Sequence, residues 1–475
     1  MPLIDIITKQ NYIQMGVIYS LLIPRSFLMK EIIKKVLPLS LIVALRFFGL
    51  FIVLSVLSQY AKDLPGGNAF LAGVALGGYA LTQAVLQVPF GVLSDKIGRK
   101  KTILIGLLLF AVGSIIAAEA NNIYMLLLGR FLQGAGAIGS VVTAMIADHV
   151  REDQRAHAMA VMGMVIALSF AAAMIIGPVM AGMFSVSSLF WVTAALSIAA
   201  LAILFSAVPE PPQIVHHYSE EEAKIKHVFK DKDLVRMYIT FLFHSGTMAI
   251  AFFIIPILMK SKFGMTTMDY WKVYLPAVFF GILAMGPAAV FGEKYAKGKE
   301  VFLASIGFII ASFLLMGFAN SFMWFAVGAT LFFIGFNMFE PLLQSFVAKF
   351  AKVHQKGAAL GVANTFAYVG VFLGGAIGGW IYGHYQERGV AYFVVGIAIL
   401  WIVWILGMRN PGLRANLFLD FDEYDKTKLQ GLKDFAGITD FYVNETEELI
   451  IIKYDNEHTS EDDIKAFLHK EGAKI

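Results

Sequence analysis

The chain is a succession of long apolar runs separated by short polar or glycine-rich breaks. A membrane-crossing helix needs about 20 mostly apolar residues. Twelve runs meet that need: 37–60, 70–93, 102–118, 123–148, 159–184, 189–208, 234–259, 273–291, 301–318, 322–348, 358–382 and 390–408. We number them spans one to twelve. An even number of crossings puts both termini on one side of the membrane.

After Met408 the pattern changes. Residues 409–416 read as a linker. Leu417, Leu419 and Phe421 alternate, as on one face of a strand. Residues 426–435 place Leu429, Leu432 and Phe435 at helical spacing, and 438–443 and 449–454 read as strands. Ser460 with Asp463 makes a capping box that opens a second helix. A last short strand ending at Ile475 completes β-α-β-β-α-β, a ferredoxin-like order. The fold class expected is an all-α polytopic membrane protein of six plus six helices with a small α+β domain. Its parts are an N-terminal extension (1–36), a six-helix bundle (37–208), a central loop (209–233), a second bundle (234–408), the linker, and the domain 417–475.

Before span one, residues 12–24 are apolar but too short to cross. Two readings stay open: an interfacial helix, or a true start at Met29.

Composition agrees. Of 475 residues 58% are hydrophobic and 15% charged, with a mean hydropathy of +0.71. Soluble domains average about 25% charged residues, so a soluble enzyme or a disordered chain fits poorly. With no cysteine, disulfides, thiolate nucleophiles and cysteine-based metal centres are excluded. No cofactor, metal or nucleic acid is expected. The net charge of +4 hides two parts, −8 over residues 416–475 and +12 over the rest.

Charge orients the spans. The even-numbered connections carry 16 basic residues and the odd-numbered ones 5. Basic loops favour the cytoplasm, so both termini are expected there. The halves are of near-equal length, and a shift of 201 positions aligns Gly91 with Gly292, Gly134 with Gly335 and Gly177 with Gly378. Paired six-span repeats are a build used by secondary transporters.

Ionisable groups within hydrocarbon are costly and usually face a cavity. Four lie deep in the spans: Arg46, Arg130, His244 and Glu340, in spans one, four, seven and ten. These are the first helices of each three-helix unit and should meet around one axis. Arg46 and Glu340 sit at similar depths and are candidates to pair across the two halves when the path is closed on one side. Protonating Glu340 would then couple a proton to opening. Arg130 could instead bond backbone carbonyls, and His244 could be a satisfied polar residue. Gln83, Gln87, Gln133, Asn337, Gln344 and Asn364 are further candidates for the path wall, or plain helix–helix contacts.

Between spans two and three runs GVLSDKIGRKK, Gly91 to Lys101. Gly91 permits close helix contact, Gly98 a tight turn, and Asp95 and Arg99 can pair with neighbouring helices. The run resembles the loop signature of the major facilitator superfamily. Arg130, Gln133 and Gly134 resemble that family's span-four element, and Asp148 with Arg155 its element after span four. Gly177, Pro178 and Gly182 resemble its antiporter element, with Ala173 and Ala181 replacing two glycines. The resemblance implies a gate built from Asp95, Arg99, Lys100 and Asp148 that locks the cytoplasmic side in the outward-open state. It also implies a transport path holding Arg130.

The second-half loop, residues 291–299, keeps Gly292 and Gly298 but has Ala296 where Asp95 would align, so locking should be asymmetric. The tail resembles heavy-metal-associated domains in fold. Its residues 422–425 offer no thiol, so copper binding does not carry over. The acidic tail is expected to dock on the basic loops.

The expectation is a monomeric, proton-coupled secondary transporter of the bacterial inner membrane, exporting a small organic compound by alternating access. An uptake symporter and a transporter-like sensor are the alternatives. Its partners would be the solute, protons and the lipid bilayer.

Overall fold

A computed structural model describes residues 25–150, 154–209, 228–351, 355–410, 414–420, 424, 426–433, 435–444, 449–456 and 458–468. The reading of residues 12–24, most of the central loop, the acidic run 422–425 except Tyr424, and the expected last strand lie outside them.

Eleven helices are long and apolar enough to cross a membrane. The last, Lys356–Leu406, has 51 residues. At about 1.5 Å per residue it is more than twice a bilayer core. It turns at Gln386 (φ 57°, ψ −162°) and so supplies both spans eleven and twelve. Span starts are capped by the residues that the sequence places there. Asn68, Asn122 and Ser185 accept hydrogen bonds from the backbone N–H of Leu71, Met125 and Ser188, and Asp231 caps span seven.

Three spans depart from the expected continuous helices. Span one is a helix Arg25–Leu54 followed by a short one, Leu57–Asp63. Span four breaks between Ile123–Ala135 and Gly139–His149. The break lets span four lie backbone to backbone on its neighbours. A Cβ on Gly134 would overlap Tyr79 O of span two, and one on Gly136 would overlap Gly106 O of span three. Span eight, Trp271–Ala289, ends in a π-helical turn, Val290–Lys294.

Lipid tails give helices no hydrophobic reason to associate, so close packing through small residues takes over. The two halves show it where span two meets span eleven. A Cβ on Gly73 would overlap Gly375 O, and one on Gly77 would lie 2.7 Å from Phe372 Cα. This seam lies toward the end of the bundle that carries Asp63. Beside it, Lys260 Nζ reaches Asp63 at 2.9 Å, and Gly182 of span five meets Met268 before span eight. Gln59 also donates to Asp63 at 2.8 Å. Burial would raise the Asp63 pKa, but hydrogen bonds from Lys260 and Gln59 outweigh it and hold the carboxyl below its usual range. Toward the Asp95 end the seam splays, and Gly91 and Gly361 have no neighbour within 4 Å of a Cβ position.

The small domain has strands β1 (Arg414–Asp420), β2 (Ile438–Asn444) and β3 (Leu449–Asp455) in antiparallel order β1-β3-β2. Leu417 pairs with Ile452 and Leu419 with Ile450. With Leu429, Leu432, Ile464 and Leu468 they fill one core. The expected helix over 426–435 is a 3₁₀ helix, Lys426–Lys433. The helix Glu461–Leu468 starts with the expected capping box, in which Asp463 N–H donates to Ser460 Oγ at 3.2 Å.

Candidate transport path and gates

Arg46 is 1% exposed in span one. Its Nη2 donates to Gln83 Oε1 at 3.0 Å, and Gln83 Nε2 donates to the Tyr368 hydroxyl of span eleven at 2.7 Å. Nε and Nη1 of Arg46 find no acceptor. The guanidinium lies over the rings of Phe47 and Phe110, at 5.7 and 5.2 Å. The chain Arg46–Gln83–Tyr368 crosses from one half to the other.

Arg130 behaves differently. Its Nε donates to Ala75 O at 3.0 Å, Nη2 to Leu76 O at 3.3 Å and Nη1 to Gln133 Oε1 at 2.7 Å. Gln133 in turn donates to Ser114 Oγ at 2.8 Å. Arg130 therefore fastens span four to buried carbonyls of span two, the contact that the packing alternative describes.

His244 and Glu340 meet. The imidazole stacks on Phe336 with ring centroids 4.3 Å apart, and its Nε2 lies 3.2 Å from Phe336 O and 4.0 Å from Glu340 Oε1. The His244 side chain is 3% exposed and that of Glu340 44%, so the imidazole is packed in and the carboxylate borders open space. Pro341 removes the backbone donor that would serve Asn337 O. Asn337 donates its side-chain amide to Phe333 O of its own helix, away from any partner half. The Arg46–Glu340 pair, expected when the path is closed on one side, is not made in this conformation. Arg46 is held by Gln83, and Glu340 stands beside His244.

At the loop signature, Gly98 (φ 97°) makes the turn between spans two and three. Arg99 donates to Asp95 at 2.5 Å and to Asp148, at the end of span four, at 3.1 Å. The Asp95 side chain is 63% exposed. Lys100 follows in the first turn of span three, and Arg155 begins the helix of span five, Arg155–Met183.

The second half has a counterpart that the sequence concealed. Glu293, on the π turn after span eight, accepts from Ser345 Oγ at 2.5 Å and pairs with Lys349 near the end of span ten. Lys349 is 201 positions from Asp148. The loop-to-span pair is thus repeated with the charges exchanged. The carboxylate sits three residues before the aligned position, where an acid is missing.

Gly177 and Pro178 lie inside span five, where a Cβ on Gly177 would overlap Ile52 O of span one. The antiporter-like glycines therefore pack span five on span one and, through Gly182, on the opposite half.

A Major Facilitator Superfamily family model matches residues 39–366 and 277–435. The chain belongs to the major facilitator superfamily. It is 33% identical over 436 residues to the inner membrane transport protein YajR of Escherichia coli K12, covering 90% of this chain and 95% of that protein. It is 27% identical over 382 residues to the quinolone resistance protein NorA of Staphylococcus aureus, covering 78% and 96%. Among solved structures, the nucleoside transporter NupG superposes with a TM-score of 0.64 at 15% identity, over 79% of this chain and 99% of that one. The human organic anion transporter MFSD10 gives 0.60 at 17%, over 78% and 99%. As a member of this superfamily the chain is a multi-pass membrane transport protein of the bacterial inner membrane.

The small domain touches the bundle. Lys453 of β3, 2% exposed, donates to Ala351 O and Ala348 O at the end of span ten. A cation there faces the negative end of a helix dipole.

Proposed function

We propose that this transporter exports a small organic compound in exchange for protons by alternating access. Glu340 carries the reading. It is the one carboxylate within the interior of the spans among the described residues, it is 44% exposed, and it lies 4.0 Å from His244. A carboxylate so placed can take a proton when the path faces one side and release it when the path faces the other. Two observations support the direction. The similarity to a protein named for quinolone resistance is one. The Gly177, Pro178 and Gly182 pattern is the other. The seam is closed at the Asp63 end and splayed at the Asp95 end. With the basic loops inside the cell, the splayed end and both termini are cytoplasmic, and the path is open to solute from within. The domain 417–475 then lies in the cytoplasm beneath a six-plus-six bundle that works as a monomer.

The test uses everted membrane vesicles acidified inside by respiration, with a fluorescent quinolone as probe. Wild-type vesicles should accumulate the probe and lose it when the gradient is collapsed. Glu340→Gln should abolish the gradient-driven part. Accumulation by Glu340→Gln that still tracks the proton gradient would sink the assignment.

A further inference from the structure

The two arginines buried in the first half are in opposite condition. Arg130 has an acceptor on Nε, Nη1 and Nη2. Arg46, equally buried, has one acceptor, Gln83, and two guanidinium nitrogens with none. The rings of Phe47 and Phe110 compensate a cation in part but supply no counter-charge. Among the described residues no carboxylate pairs with Arg46, and Glu340 stands against His244. A guanidinium in hydrocarbon with donors unspent is costly. The N–H groups it leaves unspent, on Nε and Nη1, are charge-assisted donors from which an oxyanion can accept.

We propose that Arg46 takes an anionic group of the transported solute, and that its occupancy is relayed through Gln83 to Tyr368. The proposal rests on the transporter reading above and names the substrate class within it: an aromatic carboxylate or a similar oxyanion. The aromatic part follows from the rings that continue from Arg46 across the two halves. Phe47 stacks on Phe51 at 5.4 Å, and Phe51 meets Phe170 of span five at 5.1 Å. Phe170 continues to Phe252 and Phe333 of the other half, at 6.0 and 6.3 Å. An anion at Arg46 would therefore lie along a row of rings. The relay follows from the hydrogen bonds. Arg46 fixes the Gln83 carbonyl, which turns the Gln83 amide N–H toward Tyr368. An oxyanion that draws Arg46 away frees that carbonyl and loosens the tie between halves.

The experiment is a thermal shift of the purified full-length protein in detergent, with 2-naphthoate and its neutral isostere 2-naphthamide as probes. Naphthoate should raise Tm and naphthamide should not. Arg46→Gln should lose the shift, and Arg46→Lys, which keeps the charge but not the Nε and Nη1 donors, should bind naphthoate at least tenfold more weakly. Tyr368→Phe should keep the naphthoate shift but abolish the change that naphthoate makes in the distance between spin labels on the two halves. A naphthoate shift that survives in Arg46→Gln, equal shifts from both probes, or no shift from either would overturn the proposal. The measurement needs no gradient, so it stands or falls separately from proton-coupled export.

Discussion

Substituting Gly77 by alanine tests whether the span two–span eleven seam holds the Asp63 side closed. A Cβ there would lie 2.7 Å from Phe372 Cα and 2.8 Å from Val371 O, both backbone atoms that cannot rotate away. The helices would have to part by about 0.7 Å to reach ordinary contact, and such overpacking costs about 1–3 kcal/mol. Alanine also improves helix propensity by about 1 kcal/mol, but in every conformation alike, so it cancels from the ratio of closed to open. That ratio should fall about 5- to 150-fold. The chain has no cysteine, so two can be introduced for spin labels at the exposed Asn121 and Asn320, on opposite halves at the Asp63 side. Gly77→Ala should lengthen the distance between them. Gly163→Ala, where a Cβ meets nothing within 4 Å, should not. An unchanged distance in Gly77→Ala together with a lower Tm would refute the reasoning, because the seam would then be packing without being a gate.

Four other outcomes follow from the structure. Lys349→Glu alone should lower stability by about 1 kcal/mol, and adding Glu293→Lys should restore it in a double-mutant cycle read by thermal unfolding. Gln386→Gly should raise Tm, because the present side chain holds a positive φ of 57° that costs about 1 kcal/mol or more outside glycine. The Asp63–Lys260 tie should survive mild acid. Its depressed carboxyl stabilises above the unfolded pKa of about 3.9 and loses that contribution only as pH falls through its lower folded value. Label distances on the Asp63 side should thus be flat from pH 7 to about 5, and a widening in that range would contradict the pairing. Lys453→Met should weaken docking of the small domain by about 1–2 kcal/mol, seen as faster amide exchange in the segment Leu449–Asp455.

The spans and the loop signature were legible because they depend on local composition: apolar length, a glycine turn at Gly98, and acid and base at Asp95 and Arg99. What the sequence obscured depends on three-dimensional approach. The break in span four follows from Gly136 pressing on span three, a contact that no local pattern records. The sequence left Arg130 between a path role and packing, and its bonds to carbonyls of span two depend on an approach that no local pattern records. The Glu293–Lys349 pair was hidden because the π turn displaces the acid from its aligned position. The signal that could have found it was Lys349 itself, the charge opposite of Asp148 at the same place in the repeat. Tyr368, which joins Gln83 across the halves, carried no signal beyond being a tyrosine in an apolar run.

Lys453 beneath span ten bears on the order in which the protein is made. All twelve crossings precede it in the chain. The carbonyls of Ala348 and Ala351 must therefore wait, through the synthesis of two further spans, a linker and the first two strands of the small domain, for the lysine that covers them. A product truncated before Lys453 would hold every membrane helix and still expose that helix end, a mark by which quality control could tell an unfinished molecule from a finished one.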